Sequence, residues 1–162
     1  MTGVQTCALP IFVEHRLLYP TEAYVPEEQY ELPPGKSRVV APGDDVTLVG
    51  ISNMLVECLR ARELLADVKV SAEVIDPIWL SPLDTDTIVK SVKRTRRLIV
   101  VDNGWTMCGA GAEIVSRVAE AMGPEGNFQV QRIGFAPTIC PTSPTIDRKS
   151  TRLNSIHVAL SR

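Results

Sequence analysis

No stretch of the 162-residue sequence offers the roughly 18 consecutive apolar residues of a membrane-spanning helix, so no membrane partner is expected. Histidine is nearly absent: His15 and His157 are the two present, which leaves little material for imidazole-based metal binding or general acid–base catalysis. The four cysteines, Cys7, Cys58, Cys108 and Cys140, show no C-x-x-C spacing, and neither a zinc site nor a disulfide framework follows from them. An excess of basic charge is missing too. With 17 Lys and Arg against 19 Asp and Glu, a nucleic-acid partner is not expected. A soluble protein of the cytoplasm, with small apolar cysteines in or near its core, is the expectation that remains.

The two ends of the chain differ from what lies between them. "TGVQTCALPI" (residues 2 to 11), written as ACT GGA GTT CAG ACG TGT GCT CTT CCG ATC and read on the opposite strand, gives "DRKSTRLNS" (residues 147 to 155) and, after a single base change, Ile156. Natural termini have no reason to be antisense images of one another, and the shared word resembles a sequencing adapter. Residues 1–11 and 147–162 are therefore expected to be translated adapter. A signal peptide is disfavoured for the first because a basic leading region is missing. For the second, a nucleic-acid-binding tail is disfavoured because the antisense relation already accounts for its residues through Ser155. Without Arg148, Lys149, Arg152 and Arg162, set against the single Asp147, the remainder is more acidic than the overall net of −2.

Residues 12–146 have the length of one ordinary domain with an approach segment. "YPTEAYVPEEQYELPPGK" is proline-rich, acidic and tyrosine-bearing, as suits a linker over a surface. From Asp44 strand-like and helix-like segments alternate, the pattern of a layered α/β domain with a largely parallel sheet. "VTLVGI" reads as a strand covered on both faces. Ser52 or Asn53 then caps a helix with Met54, Cys58, Ala61 and Leu65 on one stripe. "SAEVIDP" (71–77) is a second strand, followed by a loop held irregular by Pro77 and Pro82. Asp84 caps the next helix, whose stripe is Thr85, Ile88, Val89 and Val92. "RRLIVVD" (96–102) is a third strand, and a helix with Ile114, Val115, Val118 and Met122 on one face ends at Gly123-Pro124. "FQVQRIG" (128–134) is a weaker, peripheral strand.

Each chemical motif has a plainer competitor. "CGAGAE" sits where a strand meets a helix, the place where dinucleotide phosphates bind, but Glu113 in the first turn would repel phosphate and the third glycine is replaced. A tight turn is favoured. "SVKRTRR", with Lys90, Lys93, Arg94, Arg96 and Arg97, reads as the solvated end of an amphipathic helix. The pairs Asp44-Asp45 and Glu27-Glu28 lack a histidine or a third carboxylate, so no metal site is assigned. His15 is a general-base candidate by default, with a structural role favoured. Trp79 and Trp105 each follow a strand and are the candidates for interface aromatics at the sheet's carboxyl edge.

In their order, "EHRLLY", "VPEEQYELPPGKSRVVAPGDDVTLVG", "AEVIDPIWLSPLD", "IVKSVKRTRRLIVVDNG" and "GAGAEI" resemble the beta subunit of thiamine-diphosphate-dependent 2-oxo acid dehydrogenases of the pyruvate and branched-chain type. The resemblance implies residues 12–36 as the end of a pyrimidine-binding domain with its linker. It implies residues 37–146 as a transketolase-type C-terminal domain cut before a last helix. The fold implied is a three-layer α/β/α domain whose five-stranded, mostly parallel sheet has one antiparallel strand near Arg38 to Ala41. It further implies oxidative decarboxylation of a 2-oxo acid with acyl transfer to a lipoyl carrier, using thiamine diphosphate and magnesium in the parent complex. This portion alone would bind neither and would be inactive, with no catalytic, cofactor or metal residue. Its implied partners are an alpha subunit, a second beta subunit and the dihydrolipoyl acyltransferase. Where the family more often has leucine, arginine and a small polar residue, this chain has Pro77, Ile78 and Trp79. The alternatives are another thiamine-dependent enzyme, such as transketolase or deoxyxylulose-phosphate synthase, or a stand-alone interaction module.

Overall fold

The computed structural model describes residues 11–124 and 126–135; Cys7, Cys140 and His157 fall outside them. After a short 3-10 turn at Arg16–Leu18, the elements are β1 (Arg38–Ala41), β2 (Val46–Gly50), α1 (Met54–Asp67), β3 (Ala72–Asp76), α2 (Thr85–Thr95), β4 (Arg97–Trp105), α3 (Ala110–Met122) and β5 (Gln129–Phe135). The strands form one sheet in the order β1-β3-β2-β4-β5. β1 runs antiparallel to β3, with Arg38 opposite Asp76, and the other neighbours are parallel. This is the mixed five-stranded sheet that the resemblance implies.

β2 lies at the centre, and all five of its residues are buried, as its apolar run predicts. Alternation along the strands divides the core in two. Val46 and Leu48 of β2, Ala72 and Val74 of β3, and Ile99 and Val101 of β4 pack on Met54, Cys58, Ala61 and Leu65 of α1. Val49, Ile75, Leu98 and Val100 point the other way, onto Ile88, Val89 and Val92 of α2 and Ile114 and Val118 of α3. Among the described residues one helix therefore covers one face and two cover the other, which makes the three layers. The buried stripe of α1 is the one expected from the sequence.

Several local expectations need correction. Neither Ser52 nor Asn53 caps α1 through its side chain; Ser52 has a φ of 56°, and backbone turn bonds from Met54 to Ile51 (3.1 Å) and Leu55 to Ser52 (3.0 Å) start the helix instead. α2 buries Ser91 and Thr95 in addition to its apolar stripe, while Thr85 is only partly covered. The reason is Thr47, which is buried on the same sheet face: its hydroxyl lies 2.6 Å from that of Ser91 and 2.7 Å from that of Thr95. Hydrogen bonding within this trio removes the penalty for burying the three side chains. β4 runs past Asp102 to Trp105, with its register to β5 shifting between Val101 and Trp105. On α3, Ile114 and Val118 are buried and Val115 and Met122 pack at the margin, and Gly123 ends the helix at a φ of 68°. β5 is an edge strand in which only Ile133 is buried.

Candidate functional site

In a parallel sheet the loops leaving the carboxyl ends of the strands gather on one edge, where ligands and partners usually bind. Here that edge is formed by the loop after β3, which holds Trp79, and by the end of β4, which holds Trp105. β2 separates the two strands, so the tryptophans share an edge without being neighbours in the sheet. Trp105 is the last residue of its strand and not, as expected, a residue following it. The residue is 49% exposed and its ring meets Phe135 edge to face, with centroids 6.3 Å apart at 66°. Met107 beside it is 73% exposed, and Ile78 and Leu80 flank Trp79 as further exposed apolar side chains. The indole Nε1 of Trp79 is covered yet has no hydrogen-bond partner among the described residues. An indole usually finds an acceptor when buried.

The glycine-rich turn is a packing device. A Cβ on Gly109 would stand 2.2 Å from the carbonyl oxygen of Trp105, and one on Gly111 would stand 3.3 Å from Cγ1 of Val100. These glycines let α3 start hard against the end of β4. The carboxylate of Asp102 turns toward the same spot, accepting a bond from the Gly104 amide at 2.9 Å, with Oδ2 3.5 Å from where the Gly109 Cβ would be. Glu113 is held by Arg117 one turn along, at 2.7 Å. A carboxylate beside the turn, and another in the first turn of α3 even though paired with Arg117, weaken the attraction of this helix start for an anion. The sequence signal for Asp102 is its place as the first polar residue after "LIVV", which marks the strand's emergence at the edge.

Arg132 of β5 reinforces this corner by donating from Nη1 to the carbonyl oxygen of Thr106, which ties the Thr106–Gly109 segment to the edge strand. Nothing in the alternating pattern of β5 marked Arg132 for that role.

The remaining candidates have structural duties. The side chain of His15 accepts from the Leu17 amide at 3.3 Å and starts the 3-10 turn. Asp45 accepts from the Ser71 amide at 2.7 Å. Asp44 pairs with Arg94 at 3.0 Å, and Arg94 also donates to the Gly43 carbonyl at 2.9 Å and to buried Glu73. Arg94 is thus not simply part of a solvated basic face, because its head anchors the end of α2 to the β1–β2 turn and to β3. Glu27 and Glu28 lie exposed in the approach segment. Among the described residues no group of three His, Cys, Asp or Glu is placed to hold a metal ion.

Two environments bear on reactivity. Burial pushes the Cys58 thiol up to about 12, with Glu57 adding to the effect, so at neutral pH it is a protonated core residue and not a nucleophile. Cys108 is exposed. Burial would also raise the pKa of Asp84, but hydrogen bonds from the Ser37 amide, the Thr87 hydroxyl and the Thr87 amide, together with the charge of Lys36, outweigh it and hold the carboxyl below its usual value. Asp84 caps α2, as expected, and in the same stroke fixes Ser37, the last residue before β1, at 2.9 Å. Among the described residues the carboxyl edge thus carries Trp79, Trp105 and their exposed apolar neighbours, and no group of three His, Cys, Asp or Glu stands together to hold a metal ion.

The model of the family "Transketolase, C-terminal domain" matches residues 35–158. The chain is 36% identical over 137 residues to acetoin:2,6-dichlorophenolindophenol oxidoreductase subunit beta of Cupriavidus necator, a match covering 85% of this chain and 40% of that protein. It is 37% identical over 142 residues to pyruvate dehydrogenase E1 component subunit beta, mitochondrial, of Pisum sativum, with the same coverages of 85% and 40%. To pyruvate dehydrogenase E1 component subunit beta of Rickettsia felis it is 41% identical over 118 residues, covering 73% of this chain and 36% of the relative. Among solved structures, "Split gene transketolase, inactive beta4 tetramer" superposes with a TM-score of 0.70 at 24% identity, covering 87% of this chain and 45% of that one, a likeness of fold. The chain spans about two fifths of the length of these curated relatives.

Proposed function

The chain belongs to the transketolase C-terminal domain family, and from that premise we propose that it is the C-terminal domain of the beta subunit in the decarboxylating component of a 2-oxo acid dehydrogenase. The observation that supports this most is the similarity to beta subunits named for pyruvate and acetoin oxidoreductases across most of the chain. The parent enzyme would decarboxylate a 2-oxo acid oxidatively and pass the acyl group to a lipoyl carrier. This domain's share is assembly: contacts with an alpha subunit, with a second beta subunit and with the dihydrolipoyl acyltransferase. Trp79 and Trp105 are its interface residues.

Thiamine diphosphate and magnesium belong to the parent enzyme in this reading. The described residues do not fit them: no group of three His, Cys, Asp or Glu among them is placed to hold a metal ion, and the glycines at the start of α3 are taken up by close packing on Trp105 and Val100. No catalytic step is therefore assigned to this domain, and the domain alone would be inactive. The same proposal divides the chain at residue 37, treats residues 1–11 and 147–162 as translated adapter, and sets the enzyme in the cytoplasm. The family match runs to residue 158 and so overlaps the second of those segments; sequencing the source DNA outward from the codons of Phe12 and Ile146 decides between them. A transketolase assignment would rest on likeness of fold at 24% identity.

The test is to recover the full-length gene, co-express it with an alpha subunit and assay decarboxylation of 2-oxo acids with dichlorophenolindophenol as electron acceptor. Activity that needs both chains supports the proposal, and Trp105→Ala should then lower the fraction of assembled complex by more than its modest effect on the domain's thermal unfolding, the loss of the Phe135 contact, accounts for. Activity from this gene's product alone, on sugar phosphates, would replace the dehydrogenase reading by the transketolase one.

A further inference from the structure

At the opposite, amino edge of the sheet, the turn from α2 into β4 and the approach to β5 enclose an open cleft of about 260 Å³ lined by Thr95, Arg96, Arg97, Asn127, Phe128 and Gln129. Every polar side chain in this lining can donate a hydrogen bond, and none is a carboxylate. Arg96 and Arg97 each spend one long bond on a backbone carbonyl, 3.5 Å to Asn127 and 3.3 Å to Asp45. Arg38, Arg60, Arg94 and Arg117 each face a carboxylate, whereas among the described residues no carboxylate lies within ion-pair range of Arg96 or Arg97. Cations near the end of a helix often serve its dipole. Lys93 and Arg94 already stand in the last turn of α2, Arg96 is its C-cap and Arg97 opens β4. Two consecutive arginines with no ion-pair partner among the described residues, in a chain of net negative charge, make a local reversal of sign.

We infer that this cleft binds a small phosphate-bearing ligand, with the forks of Arg96 and Arg97 meeting the phosphate oxygens. Planar guanidiniums match phosphate in bidentate geometry, and the amide-bearing Asn127 and Gln129 in the lining supply further donors. Size separates this from an acidic peptide. The cleft lies near the roughly 300 Å³ lower bound of small-ligand pockets, whereas bound peptides run along extended grooves or strand edges. This inference does not depend on the dehydrogenase reading.

The test titrates the full chain with inorganic phosphate, against potassium chloride at matched ionic strength, while backbone amides are followed by heteronuclear NMR. Saturable shifts confined to residues 95–97 and 127–129 are expected. Arg96→Gln and Arg97→Gln should each weaken binding about tenfold, the loss of one charge-assisted hydrogen bond, while Arg60→Gln should leave it unchanged. Thermal unfolding of each variant is recorded alongside, so that if one misfolds the other decides. Shifts that follow ionic strength alone, or binding indifferent to both arginines, would overturn the inference. Saturation of the same amides by a glutamate-rich peptide but not by phosphate would overturn it equally.

Discussion

Replacing Asp84 by alanine removes three hydrogen bonds at once: from the Ser37 amide at 2.9 Å, the Thr87 amide at 3.2 Å and the Thr87 hydroxyl at 2.7 Å. Loss of an N-cap costs about 1 kcal/mol. A bond to a charged acceptor contributes roughly 1.5–3 kcal/mol, and the Ser37 amide is left without that partner. Together these predict that Asp84→Ala loses about 2–4 kcal/mol at neutral pH. Urea denaturation would read this as a lower midpoint at unchanged slope. The pH dependence gives an independent check. The folded-state pKa of Asp84 is held below its usual value, so its stabilisation is fully present above the unfolded pKa of about 3.9 and is lost as pH falls through the lower folded value. The gap between wild type and variant should therefore be widest near neutrality and close in strongly acidic solution. A loss under about 0.5 kcal/mol, the ordinary effect of a surface substitution, or a gap that does not change with pH, would refute the account.

Thr47→Val should cost about 1–3 kcal/mol, because it leaves the buried Ser91 hydroxyl without its partner. The triple variant Thr47→Val, Ser91→Ala, Thr95→Val should recover part of that loss in the same urea assay. A triple variant worse than the sum of the single ones would count against the trio acting as one unit. Cys58, with its thiol pushed up to about 12 by burial, should resist iodoacetamide at pH 8 in the native protein and react once unfolded. Peptide mass spectrometry showing native Cys58 alkylated as fast as exposed Cys108 would contradict that burial.

What the sequence made legible followed from periodicity. Met54, Cys58, Ala61 and Leu65 recur at helical spacing, and they are the buried residues of α1. Gly123-Pro124 ends α3 for a local reason, and Asp84 starts α2 for another. Ser91 and Thr95 escaped because a hydroxyl on an amphipathic helix reads as surface unless its partner is known. That partner, Thr47, is 44 residues away from Ser91 and was hidden inside an otherwise apolar strand. Arg94 was misread for the same reason, since Glu73 and Asp44 reach it only through the sheet's parallel crossover. Trp79 and Trp105 could be placed at the carboxyl edge, but β2 standing between their strands is a fact of strand order, which one sequence does not encode locally.

β1 runs against its neighbour, and this governs how anything upstream is tethered. Arg38, its first residue, stands opposite Asp76, the last residue of β3. The chain therefore enters the domain at the carboxyl edge, where a parallel β1 would have entered at the amino edge. Ser37 is clamped there by Asp84, a few residues from Trp79 in the same loop. A body attached through residues 19–36 is thus leashed on the side of the two tryptophans, and the arginine-lined cleft stays on the far side of the sheet. Reversing one edge strand sorts the two surfaces: a body tethered upstream would have short reach to one and long reach to the other.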